Sequence, residues 1–213
     1  ACEFLNFPVV SGNVSFYNGT NRKNIFPTPV IGGVGLIPDI SKTLNHCFKK
    51  ENNNILLIGK TFGHIEQSCF LKENFSITEG LPPEVNLNNE KNNGETILKL
   101  IRKNLVLSAH DVSSGGLLVA LSEMSIGSNL GAKILKPRKL RNKLEYFFGE
   151  DQGRYIIEIN NSNLDQIIKI LEDRRIYFEN IGKTQKEFFE VEGELKLNIN
   201  DLFKINNTWY NKY

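Results

Sequence analysis

Three oxygen-bearing side chains, Asn13, Ser15 and Asn18, fall within six residues just after an apolar run in Val9-Val10-Ser11-Gly12-Asn13-Val14-Ser15-Phe16-Tyr17-Asn18. Gly12 has no Cβ, so its backbone can take φ > 0 and let a bulky anion lie against its N–H. If the flanking residues are extended, alternation sends Asn13 and Ser15 to one face and Val14 to the other. An Asn amide oxygen is a neutral hard ligand suited to Mg²⁺, and a Ser hydroxyl donates to a phosphate oxygen. The same residue types also build an ordinary polar turn between two strands. Residue chemistry alone leaves both readings open.

Two later segments carry further candidates. In Ser108-Ala109-His110-Asp111-Val112-Ser113-Ser114-Gly115-Gly116-Leu117, a glycine turn opens a helical pattern. The free N–H groups and the dipole of a helix start favour an anion there. Equally, Ser113 or Ser114 is a standard helix cap, and His110 beside Asp111 makes a hydrogen-bonded structural pair. Phe148-Gly149-Glu150-Asp151-Gln152-Gly153-Arg154 puts two carboxylates and an amide in one loop. His64 and Glu66 are two ligands at most, which do not make a metal site. Cys2, Cys47 and Cys69 are odd in number and widely spaced, so they read as reduced thiols rather than a zinc or disulfide framework.

These groups must be positioned by alternating strands and helices. Residues 8–37 are rich in β-branched and aromatic residues punctuated by Gly and Pro, which predicts strands with short connections, one of them starting at Pro27 and Pro29 or lying at a sheet edge. A polar stretch at 46–54 marks a boundary between segments 1–45 and 46–213. Beyond it, 55–58 reads as a buried strand, 81–94 as a loop and 95–103 as a helix with Ile97, Leu98, Leu100 and Ile101 on its apolar face. Strands are expected at 105–108, 144–148, 155–159, 176–181, 188–191 and 195–197. Helices are expected after Gly116, at 164–171 with Ser162 or Asn163 as cap, and from Asp201 toward Trp209. The pattern predicts an α/β (α+β) fold with helices laid on a sheet.

The segment from Phe7 to Asp39, with Pro27-Thr28-Pro29-Val30-Ile31-Gly32-Gly33-Val34-Gly35-Leu36-Ile37 within it, resembles phosphoribosylformylglycinamidine synthases. The His110 and Glu150 segments resemble two further signatures of that family, in the same order and at similar spacing. The resemblance implies the end of a second AIR synthetase-like (PurM-like) N-terminal domain over 1–45, then an AIR synthetase-related C-terminal domain over 46–213 with helices on a mixed sheet. It also implies that an upstream portion is missing, because the family's enzymes are several times longer. By the same resemblance, Gly12 lies against ATP, Asn13 ligates Mg²⁺ and Ser15 contacts formylglycinamide ribonucleotide. ATP would phosphorylate the substrate's amide oxygen, and ammonia would displace the phosphate to give the amidine.

No glutaminase-type Cys with His and acidic partners is recognisable, so the ammonia must come from elsewhere; the resemblance implies a glutaminase subunit and a small PurS-type subunit as its source. Asp151 stands where the family's first copy has Ser, adding negative charge to a loop that there binds substrate; a structural role is expected here. Gly19 departs from an acidic position of the family. Relatives of the same fold, namely aminoimidazole ribonucleotide synthetase, selenophosphate synthetase and thiamine-phosphate kinase, are alternatives, as is a non-catalytic half-domain.

Composition excludes other classes. The 213 residues carry a net charge of +2 and 40% hydrophobic residues, with no concentrated basic block for nucleic acid. No apolar run approaches the roughly 20 residues that cross a bilayer, which predicts a cytoplasmic chain with no membrane partner.

Overall fold

A computed structural model describes residues 1–14, 18–25, 28–137 and 142–209. They divide into two units, Ala1–Thr43 and Leu44–Tyr213. In the first, regular structure among the described residues is limited to a two-residue antiparallel pair, β1 (Gly19–Thr20) with β2 (Lys23–Asn24), and a 3-10 turn at Ile40–Lys42 capped by Asp39. Among the described residues of 8–37 no other strand is formed; Pro27, an expected strand start, lies outside them. The reason is visible in the side chains: Val10, Val34 and Leu36 are 92%, 98% and 93% exposed within the chain. β-propensity expresses packing on a pleated, half-buried surface, and these residues have no such surface to join.

The second unit is built on β3 (Asn54–Ile58), five consecutive buried residues. Alternation gives β3 two apolar faces. Ile55 and Leu57 belong to one hydrophobic cluster, Leu56 and Ile58 to another. A strand covered on both sides must read as a continuous apolar run, which is why this element was legible.

After β3 come α1 (Cys69–Phe75), α2 (Leu87–Arg102), β4 (Ser108–Asp111), α3 (Gly116–Ile126), β5 (Gly131–Ile134), α4 (Lys143–Phe148) and β6 (Tyr155–Ile159). The chain continues with α5 (Leu164–Asp173), β7 (Phe178–Gln185), β8 (Phe188–Val191), β9 (Leu195–Asn198) and α6 (Ile199–Thr208). The seven strands lie in the order β4-β6-β3-β7-β5-β8-β9, antiparallel except for the parallel pair β5–β8. On one face Leu117, Leu121 and Met124 of α3 and Phe147 of α4 pack against Ile55, Leu57 and Ile156. On the other, Ile97 and Leu100 of α2 and Ile167 and Leu171 of α5 pack against Leu56, Ile58 and Ile157. The α/β expectation with helices on a mixed sheet is met, with helices on both faces.

Several elements differ from expectation. Residues 87–94 are not loop but the first half of α2, opened by Asn86, whose side chain accepts from the Asn89 N–H at 3.0 Å. Its Asn-rich turns are helical because tertiary contacts use them: Asn93 is buried and donates to the Gly153 carbonyl at 2.8 Å. Residues 144–148 are helix, not strand, with Asn142 accepting from the Leu144 N–H. Six residues are too few to display a 3.6-residue period. β4 begins where the strand expected at 105–108 was to end, and β7 runs on from the expected 176–181 to Gln185 through polar positions. β5 and α1 were not anticipated. Asn163 precedes α5 without a side-chain cap bond, its amide donating instead to Leu105 O.

Candidate functional site

In the first unit, Gly12 and Asn13 are exposed. Gly12 does not take a positive φ, and a Cβ built on it would meet nothing within 4 Å, so this backbone does not itself demand glycine. Ser15 lies outside the described residues. Among the described residues no group of three or more His, Cys, Asp or Glu side chains could hold a metal ion. The first unit thus presents Gly12 and Asn13 side by side in solvent.

In the second unit the two loop carboxylates are spent on the chain's own backbone. Glu150 Oε1 accepts from Gly115 N–H at 2.7 Å and from Cys69 N–H at 2.8 Å. The turn expected to receive an anion therefore holds an internal carboxylate. Gly115 and Gly116 both have positive φ (83° and 73°), and a Cβ on Gly116 would lie 2.7 Å from Gly149 O. Asp151, buried, accepts from three successive amides: Phe62 and Gly63 on Oδ2 at 3.0 and 2.9 Å, and His64 on Oδ1 at 3.0 Å. Arg154 is buried beside it, donating to Gly149 O, Asp151 O and Thr61 Oγ1, with Nη1 3.9 Å from Asp151 Oδ2. Burial pushes the Arg154 pKa down, and the nearby Asp151 opposes that shift.

His110 and His64 are likewise engaged by the chain's own groups. His110 lies between Asp111 and Glu123, with ring nitrogens 3.2 Å from each carboxylate. His64 Nε2 is 2.9 Å from Leu81 O, and Glu66 accepts from the Leu81 N–H at 2.7 Å. The two side chains hold one turn rather than a metal.

Sequence reasoning missed a cavity of about 680 Å³ in this unit. Its wall includes Lys136, Thr61, Phe62 and Gly63 from the loop after β3, Glu145 and Tyr146 from α4, Tyr177 just before β7 and Glu179 within it. Tyr146 Oη donates to Glu179 Oε2 at 3.1 Å and Tyr177 Oη to Oε1 at 3.0 Å, so two phenols clasp one carboxylate. No motif announces this group, because its members come from elements far apart in sequence. Burial first, then the charge and hydrogen bond of Glu179, push the Tyr146 hydroxyl's pKa well up; Tyr155 and Tyr177 are raised as well, again mainly by burial.

A raised phenol pKa favours the folded state while the phenol is neutral. Stability is therefore expected to be level up to about pH 10 and to fall above it, where the unfolded chain ionises and the fold does not. Urea titrations at stepped alkaline pH should show this fall, with a shallower slope in Tyr146→Phe. An equal slope in the variant would exclude Tyr146 as a contributor.

Residues 50–193 match the family described as AIR synthase related protein, C-terminal domain. The whole chain is 49% identical over 213 residues to a phosphoribosylformylglycinamidine synthase subunit PurL from Pelagibacter ubique, covering 29% of that protein. Among solved structures it resembles T. maritima PurL complexed with FGAR (TM-score 0.68, 19% identity, 77% of this chain and 30% of that one). It also resembles T. maritima PurL complexed with ATP (TM-score 0.60, 17% identity, 77% and 28%). At these identities the structures show the fold. The chain spans about three-tenths of the length of the curated relatives it matches.

Proposed function

The chain belongs to the AIR synthase-related C-terminal domain family, and from that premise we propose that it is part of an ATP-dependent ligase converting formylglycinamide ribonucleotide and ammonia to the amidine in purine biosynthesis. The observation that carries this is the 49% identity running through every residue to a PurL subunit more than three times as long. The exposed valines and leucine of the Ala1–Thr43 unit support it, since large apolar side chains left this exposed call for cover from further protein. In this reading residues 1–45 close an AIR synthetase-like N-terminal domain. The remainder of the enzyme, a glutaminase subunit and a small PurS-type subunit complete the assembly, in the cytoplasm.

Gly12 then lies against ATP, Ser15 contacts the substrate and Asn13 supplies one neutral oxygen to Mg²⁺. The exposed Asn13 amide suits that ion, which keeps several waters and takes few protein ligands. When bound, Mg²⁺ neutralises phosphate charge during transfer. The Leu44–Tyr213 unit serves as scaffold, because Glu150 and Asp151 already fill the amide groups that would receive an anion there.

The test pairs two measurements. The 213-residue chain, given ATP, Mg²⁺, formylglycinamide ribonucleotide and ammonia, is expected to form no amidine. In the enzyme extended to the length of its relatives, Asn13→Ala should lower ammonia-dependent turnover about 10–100-fold. Turnover by the 213-residue chain, or an unchanged rate in the variant, would remove the assignment.

A further inference from the structure

We propose that the cavity walled by Phe62, Tyr146 and Tyr177 binds a planar guanidinium-type cation, with Glu179 as its carboxylate partner. The inference is independent of the catalytic reading above and concerns the Leu44–Tyr213 unit alone.

Glu179 is held in place from both sides. Each of its oxygens accepts one phenol, from Tyr146 and from Tyr177, at 3.1 and 3.0 Å. A carboxylate oxygen has two acceptor positions, so one remains on each oxygen, side by side. Two parallel N–H groups of a guanidinium match that spacing, which a compact ammonium cannot. Arg154, the chain's own guanidinium behind this wall, directs its hydrogen bonds to Gly149, Asp151 and Thr61.

The walls suit a flat cation. The Phe62 ring is 71% exposed and already draws one cation, the Lys60 ammonium, 5.0 Å from its centroid. Tyr146 and Tyr177 add two more aromatic rings. A volume of about 680 Å³ falls within the range of small-ligand sites.

Other ligand classes fit poorly. An anion finds the backbone N–H groups of Phe62, Gly63 and His64 taken by Asp151, and the one lysine of the lining, Lys136, has its ammonium 3.9 Å from Glu194. A metal ion would look for several clustered ligands, and none of three or more exists among the described residues. Residues 138–141, between Pro137 and Asn142 of the lining, lie outside the described residues and play no part in this assignment. The guanidinium can come from a free metabolite or from an arginine side chain of another protein.

Titrating the 213-residue chain with methylguanidinium, and following the backbone amide resonances of Thr61, Phe62, Gly63 and Tyr177, should give saturable shifts with a Kd of roughly 1–10 mM. Glu179→Gln keeps the shape and removes the charge, and is expected to raise that Kd at least about tenfold. Glu172→Gln, an exposed position of α5 outside the lining, should change it less than about threefold. Comparison with a capped Gly-Arg-Gly peptide separates the sources. Tighter binding of the peptide assigns the cavity to an arginine of a partner, and tighter binding of methylguanidinium assigns it to a free metabolite. Shifts that do not saturate, displacement by inorganic phosphate, or an unchanged Kd in a folded Glu179→Gln chain would overturn the proposal.

Discussion

Replacing Glu158 by alanine is expected to lower stability by about 3–5 kcal/mol, because the change removes a buried charge that four donors have been arranged to meet. Glu158 lies on β6 opposite Ser108 of β4 and Ile55 of β3. Its Oε2 accepts from Lys49 N–H at 2.7 Å and Ser108 Oγ at 2.9 Å; its Oε1 accepts from Asn53 Nδ2 at 2.6 Å and Lys50 N–H at 3.1 Å. Thr184 ties the same entry loop to β7, donating to Lys50 O and accepting from Asn53 N–H. Without the carboxylate, the amides of Lys49, Lys50 and Asn53 lose their acceptor in the interior. Glu158→Gln offers no rescue. One of its two positions would present an NH₂ to groups that are themselves donors, so it should fall within about 1 kcal/mol of the alanine variant. Urea unfolding of the three chains decides this. A glutamine variant as stable as the parent would show that the site needs shape and not a charged acceptor.

Asp151→Ala is the second large effect, with an expected loss of about 3–4 kcal/mol. It strips the acceptor from three successive amides, 62–64, and leaves the buried Arg154 without its nearest carboxylate. Asp151→Asn keeps one oxygen and should cost less, since Oδ2 alone serves two of the three amides. If the pair acts as a unit, adding Arg154→Met to Asp151→Asn should cost less than the sum of the single changes, a coupling that denaturant titration of the cycle measures. Hydrogen exchange gives a local readout: protection of the Phe62, Gly63 and His64 amides should fall more than that of β3. Uniform loss across the unit would show that the nest has no local role.

Of the two segments only the Asp151 loop is conspicuous by its residue types, and only part of its meaning is readable in the sequence. The Glu150-Asp151-Gln152 loop stood out for its charge, and a structural role was expected. What could not be read was the recipient of each carboxylate, because Gly115, Cys69 and the amides of 62–64 are between 35 and 89 residues away along the chain. Glu158 was read only as part of a strand. Its burial follows from strand register, which places it between Ser108 and Ile55, and register depends on pairing partners that no local window contains.

The α/β architecture was legible because its signals are local. A central strand buried on both faces must be apolar throughout, and an amphipathic helix repeats its apolar residues every turn. The motifs at Gly12, His110 and Glu150 were likewise visible as strings of residues. Tertiary structure alone decided which polar groups remain free for a ligand. It placed internal carboxylates in the amide nests, bracketed His110 with two acids, and assembled Tyr146, Tyr177 and Glu179 around a cavity from distant elements. The reason is that hydrogen-bond satisfaction belongs to the whole fold: a donor written in one segment is available or spent according to which acceptor, far along the chain, the packed sheet brings to it.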